Sequence, residues 1–212
     1  MSVYISDADA LSLRSGRSGT KLEKTSLSTG VLQGSANGYI HAPALVNIIM
    51  NITIIAVGSI KEKFFRDAVA EYSKRLSAYC KFSIVEVEDE KTPENAPYTF
   101  KQQIMEKEAG RILSKVPEGA CVITLEIEGR KMSSEAFADK INDLMINGVS
   151  HIVFIIGGSL GLHSSVKALA KKTPSFSLSF SDMTYPHQLM RVILSEQIYR
   201  AFRIIKNEPY HK

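Results

Sequence analysis

The sequence contains no tryptophan and only two cysteines in 212 residues. Cys80 and Cys121 are too few for a disulfide framework or a four-thiolate zinc site. Each stands in an apolar run, which predicts small buried hydrophobes in a reducing compartment. No apolar run approaches the roughly 20 residues needed to cross a bilayer, and no secretory apolar segment precedes a small-residue cleavage site. A membrane partner and export are therefore not expected, and the chain is expected to be cytoplasmic. His151, His163, His187 and His211 lack cysteine or carboxylate partners at ligand spacing, so no metal is expected. Neither sign of charge dominates: 26 Lys and Arg stand against 22 Asp and Glu, a formal net charge of +4. That balance permits a nucleic-acid partner without requiring one. Ordinary glycine, proline and charge content excludes collagen-like, coiled-coil and wholly disordered chains. What remains is 44% hydrophobic, enough to bury a core in one domain or in one domain plus an appendage.

The appendage is predicted at residues 1–49. Ser, Gly and Thr recur there at short intervals, and the apolar residues follow no period of 2 or 3.6. Such a segment buries too little apolar surface to offset chain entropy. It reads as a flexible tail, an expression remnant or translation from an upstream start. A targeting peptide is the alternative, suggested by Arg14, Arg17, Lys21 and Lys24 among serines. Asp7, Asp9 and Glu23 argue against it, because transit peptides are poor in acids. The four basic and three acidic residues nearly cancel, so the basic surplus belongs to residues 50–212.

From Met50 onward, strands and helices alternate. The pattern predicts strands over Ile52–Val57, Phe82–Val87, Cys121–Ile127, His151–Ile156 and Phe176–Phe180. The third is expected to close at Glu128-Gly129. Helices are predicted over Glu62–Tyr79, Phe100–Val116, Ser133–Asn147, Ser164–Lys172 and Pro186–Lys206. The first carries an inward stripe of Phe64, Phe65, Ala68, Val69, Tyr72 and Leu76, and the second turns Ile104, Ile112 and Leu113 inward. Ser133 suits an N-cap and Asn147-Gly148 a C-terminal stop. Pro186 fits the first turn of the last helix. A βαβα order with continuously apolar strands specifies an α/β fold, a mostly parallel sheet covered by helices on both faces.

Three segments are candidate sites. The turn I-I-G-G-S-L-G-L, Ile155–Leu162, follows a buried strand and lets a ligand approach bare backbone. A tight turn without a ligand is the plainer reading. A nicotinamide site is disfavoured by the G-G-x-x-G spacing and by its place on the fourth strand, and no Gly-Lys-Ser/Thr follows to make a P-loop. The segment Ser179–Arg191 joins the fifth strand to the last helix, where free backbone N–H groups attract polar or anionic groups. His187 and Arg191, four apart, share one helical face. A packed or capping histidine is the alternative to a catalytic one. The last helix and tail, with Arg191, Arg200, Arg203, Lys206 and Lys212 among Tyr199, Phe202 and Tyr210, fit phosphate contact and base stacking on RNA. The plainer reading is that Phe202 and Tyr199 are core and the charges a solvated helix face. Val192, Ile193, Ile198 and Ile205 add apolar surface suited to a homodimer seam.

Taken together, N-I-T-I-I-A-V-G (Asn51–Gly58), V-I-T-L-E-I-E-G (Val122–Gly129), I-I-G-G-S-L-G-L and the run L-S-F-S-D-M-T-Y-P-H-Q-L-M-R through P-Y-H-K (Leu178–Lys212) closely resemble the SPOUT superfamily. Within it they are similar to the bacterial enzymes that methylate N3 of a pseudouridine in 23S ribosomal RNA. The resemblance spans Met50–Lys212. It implies an α/β knot fold, in which the C-terminal part threads a deep trefoil knot that binds S-adenosylmethionine in a bent shape. By motif, the implied cofactor contacts are Leu125, Gly157, Gly158, Ser181, Asp182, Met183, Thr184, Tyr185 and Pro186. It also implies a homodimer whose sites are completed across subunits, acting on 23S rRNA in the assembled ribosome. His187 and Arg191 are the catalytic candidates on the knotted side, with Tyr210 and His211, contributed by the partner subunit, near the target base. The chain departs from some members at Ser159-Leu160, where they carry Pro-Glu. A ribosome-binding or assembly protein without catalysis stays open as an alternative, with a nicotinamide-dependent oxidoreductase behind it.

Overall fold

β1 (Asn51–Val57) is an unbroken apolar run buried on both faces from Ile52 onward. Such a strand needs hydrogen-bonded neighbours on both edges and helices on both faces. A computed structural model, which describes residues 49–210, supplies all of these. The elements follow as α1 (Lys63–Leu76), β2 (Lys81–Val87), α2 (Tyr98–Leu113), β3 (Cys121–Lys131), α3 (Ser134–Ile146), β4 (His151–Ile156), α4 (Ser164–Lys167), β5 (Phe176–Ser179) and α5 (His187–Ile205). All five strands run parallel in the order β2-β1-β4-β3-β5.

Alternate residues of the central strands feed two cores. Ile52, Ile54, Ile152 and Phe154 pack with Leu76 of α1, Phe137 and Ile141 of α3, and Leu194 and Ile198 of α5. Ile55, Val57, Val153 and Ile155 pack with Ala109 and Ile112 of α2 and Val166 of α4. The parallel α/β expectation holds, and both cysteines are buried and free. Ser133 caps α3 by accepting the Ala136 N–H at 3.2 Å.

Several boundaries differ from the expectation. β3 does not close at Glu128-Gly129 but continues to Lys131, with a register shift against β5 between Leu125 and Arg130. Gly129 stops nothing: a Cβ there would meet the Leu178 carbonyl carbon at 2.6 Å, so its bareness lets β5 pass close by. The predicted helix 164–172 divides into α4 and a 3-10 turn, Ala168–Lys171. Phe64, in the first turn of α1, is exposed instead of inward, and Leu113 is likewise exposed at the end of α2. Pro186 stands at the N-cap of α5 with extended ψ, just outside the first turn. Ile198 is fully buried in the chain's own core, which removes it from any seam between subunits. The predicted extension lies, but for Ile49, outside the described residues, as does His211. No described helix is long and apolar enough to cross a membrane.

Candidate active site

In a parallel sheet the loops leave the carboxyl ends of the strands together, and ligands settle there. At that edge a cavity of about 620 Å³ opens between the ends of β3, β4 and β5 and the start of α5. Three stretches far apart in sequence line it: Leu125 to Ile127, Ile156 to Leu162 without Leu160, and residues between Leu178 and Met190. The volume suits a small organic molecule.

The glycine turn forms one wall. Gly161 takes φ +82°, and its N–H donates to the Gly158 carbonyl at 3.1 Å, closing the turn. A Cβ on Gly157 would stand 2.8 Å from the backbone of Gly161. At its glycines the turn therefore presents main chain to the cavity, beside Ile156, Ser159 and Leu162. The opposite wall is the connection from β5 to α5. The Ser179 hydroxyl donates to the Ser181 carbonyl at 3.2 Å, and the Met183 N–H donates to the Ser181 hydroxyl at 2.9 Å, so the chain curls inward there. Ser181, Met183, Thr184, Tyr185 and Pro186 line the cavity. Asp182 does not; it points away to an ion pair with Lys131 at 2.5 Å. Of the nine positions expected to hold a cofactor, eight converge on this one cavity. Among the described residues no cluster suited to a metal ion is present.

His187 opens α5 and lines the cavity, its ring over Gly58: a Cβ on that glycine would lie 3.5 Å from Cε1. Burial holds the His187 pKa below the ordinary histidine value, and the nearby Arg191 and Lys61 charges add to it. The imidazole is consequently neutral at pH 7. Arg191, one turn further along, does not reach the cavity. It is fully buried, its Nη2 donates to the carbonyls of Val57 and Gly58 at 2.9 and 2.7 Å, and its Nη1 pairs with Glu86 at 2.9 Å. Gln188 adds a second tie by accepting the Lys61 N–H at 2.8 Å. The expectation that Arg191 faces the reaction thus gives way to a structural one. It clamps the start of α5 to the end of β1, which sets where His187 points.

Tyr210 does not line the cavity of its own chain. Its hydroxyl donates to Glu196 at 3.2 Å and its ring meets Tyr199 and the Arg200 guanidinium. Glu196 is nine residues past His187, about 13 Å along the helix. Burial, with the Glu196 charge beside it, pushes the phenol up to about 12. The neighbouring aromatics are core: Phe202 is buried, Tyr199 packs against it, and Arg203 is paired with Glu208.

One lining residue escaped the sequence reading. Among the described residues lining the cavity, Glu126 is the only one with a carboxylate. Its Oε1 accepts the hydroxyls of Thr124 and Ser177 at 2.7 and 3.0 Å, and its Oε2 pairs with Lys167 at 2.9 Å. Burial pushes its pKa upward, but Lys167 and the two hydroxyls outweigh that and hold it below the usual glutamate value. An acid inside a strand of alternating character carried no local signal of this role. Only the tertiary approach of Ser177 and Lys167 reveals it.

Comparison with known proteins follows the same residues. A family model described as predicted SPOUT methyltransferase matches residues 50–211. Proteins named ribosomal RNA large subunit methyltransferase H from Bifidobacterium adolescentis, Acetivibrio thermocellus and Clostridium beijerinckii are 58%, 52% and 56% identical over 163 residues. Each alignment covers 77% of this chain and 100% of the relative. Among solved structures, a ribosomal RNA small subunit methyltransferase E from Neisseria gonorrhoeae bound to S-adenosyl methionine aligns at 17% identity and a TM-score of 0.40, over 74% of this chain and 66% of its own.

Proposed function

The chain belongs to the SPOUT methyltransferase family, and on that premise we propose that it is a 23S ribosomal RNA methyltransferase using S-adenosylmethionine, with N3 of a pseudouridine as the methyl acceptor. The observation that carries the reading is the convergence of three distant segments, around Leu125, Gly157-Gly158 and Ser181–Pro186, on one cavity of suitable size. The names of the relatives supply the class of substrate.

The residues present fit the cofactor. Gly157 and Gly158 expose backbone where a side chain has no room, and Leu125, Ile156, Leu162, Leu178 and Met190 offer apolar surface to a flat ring. When bound, S-adenosylmethionine supplies an activated methyl group on sulfur. The chain's own part is to hold that group in line with the acceptor nitrogen and to exclude water. The N3 of a uracil-type ring carries a proton that must leave. His187, neutral and on the cavity wall, is the residue that accepts it. Arg191 acts through position and charge, by fixing the helix start and keeping His187 unprotonated.

Family membership further supports a trefoil knot through the β5–α5 connection, a homodimer with shared sites, action on the assembled ribosome and a cytoplasmic location. Met183, 71% exposed, and Ile127, 51% exposed, stand at the cavity rim, as suits a surface that a second subunit or the RNA covers. The family match begins at residue 50, which supports reading residues 1–49 as an extension to the methyltransferase domain.

The test is methyl transfer to ribosomes that lack this modification. The unaltered chain is expected to label 23S rRNA. His187→Ala should lower the rate about a hundredfold or more while cofactor binding persists. Absence of calorimetric binding of S-adenosylmethionine to the unaltered chain would instead favour a ribosome-assembly role.

A further inference from the structure

Glu126 is unexplained by the mechanism above. Its side chain is 11% exposed, it lines the cavity, and it is held ionised. A carboxylate has about four acceptor sites. Two on Oε1 are taken by Thr124 and Ser177, and one on Oε2 by Lys167. One acceptor position on Oε2 remains, on a residue that borders the ligand space.

We propose that Glu126 recognises the ribose of the bound cofactor by accepting a hydrogen bond from one of its hydroxyls. This rests on the cofactor reading above and adds the residue that selects a ribonucleoside. The choice among donors follows from charge. Lys167 already neutralises Glu126, so a sulfonium, which has no N–H or O–H to donate, gains little from the pair. An ammonium would enter beside the Lys167 Nζ, a like charge 2.9 Å from the same oxygen. A neutral hydroxyl suffers no such repulsion and makes a short charge-assisted bond to an ionised oxygen. The surrounding wall at Leu125, Ile127 and Leu162 is apolar, which leaves Glu126 as the directional contact on that side. Ser177 and Lys167 hold the carboxylate from β5 and α4, so it is fixed before the ligand arrives. That preorganisation gives the contact discriminating power.

The experiment is a binding cycle by calorimetry on the full chain. Its ligands are S-adenosylhomocysteine, the corresponding 2′-deoxy and 3′-deoxy compounds, and 5′-methylthioadenosine, each measured with the unaltered protein and with Glu126→Gln. The isosteric amide preserves the size of the side chain, and thermal unfolding checks that the variant is folded. We expect removal of one hydroxyl to weaken binding to the unaltered protein about tenfold or more. Glu126→Gln should weaken S-adenosylhomocysteine comparably, and the two losses together should not exceed either alone. 5′-Methylthioadenosine should show the same loss in the variant. Equal affinity of the unaltered protein for parent and both deoxy ligands overturns the proposal without reference to the variant. Additive losses overturn it as well, as does a variant effect that vanishes with 5′-methylthioadenosine, since that places the contact on the amino-acid part. No binding of any of these ligands by the unaltered protein overturns the cofactor reading and this proposal with it.

Discussion

At the residue scale, the same helix turn carries two basic side chains with opposite fates. His187 is on the cavity and Arg191 is sealed behind it. Spacing places both on one face of a helix but does not say which contacts ligand. That is decided by two backbone carbonyls at the end of β1, which lie too far away in sequence to be anticipated. Arg191→Met leaves those carbonyls without a partner and strips Glu86 of its ion pair. Urea denaturation should show a loss of about 2–5 kcal/mol. Full stability in that variant would contradict the clamp. His187 makes a separate prediction. Its pKa is depressed, so the free base predominates at and above the ordinary histidine value of about 6.5. The rate of methyl transfer should be level through neutral pH and fall only when the pH drops below that value. An acid limb centred above it would argue for a different base. The glycines and the T-Y-P-H-Q-L-M-R run were legible in the sequence because their meaning is local. Glu126 was not, because its partners Ser177 and Lys167 come from other elements.

At the element scale, the strands show where the sequence rules succeed. Unbroken apolar runs marked β1 and β4 as buried strands, and each is flanked by a strand on both edges. β3 exposed the weakness of treating glycine as punctuation. Gly129 sits inside the strand, where bareness is a packing requirement set by the backbone of Leu178. A methyl group at that point has to displace main chain, not a pliant side chain. Gly129→Ala should destabilise the protein by about 1–3 kcal/mol and loosen β5, with faster amide exchange at Leu178 and Ser179 than in the core of β1. Unchanged exchange there would show that β5 is held independently of the bulge. The amphipathic pattern placed α1 and α2 well but overextended their apolar stripes. Phe64 and Leu113 sit at helix ends, where the period continues but burial does not.

At the scale of the whole molecule, the alternation of strands and helices was enough for the parallel α/β class. The strand order was not, since it depends on which crossover each helix makes. The family match covers residues 50–211, and relatives of 163 aligned residues match along their entire length. Deleting residues 1–49 should therefore leave cofactor affinity and ribosome methylation unchanged. A loss of either on deletion would give that segment a part in the site.

The contacts of Arg191 also join distant parts of the chain. Its two carbonyl partners lie 134 and 133 residues earlier in the chain. The cavity wall likewise needs β3, β4 and the start of α5 at once. Contacts of such long sequence separation form late, after the loop-closure cost has been met. A nascent chain emerging from the ribosome exposes β1 through β4 before it can complete the pocket. The proposed ligand cavity therefore cannot form from the first strands alone: it requires the start of α5 to be docked on the sheet.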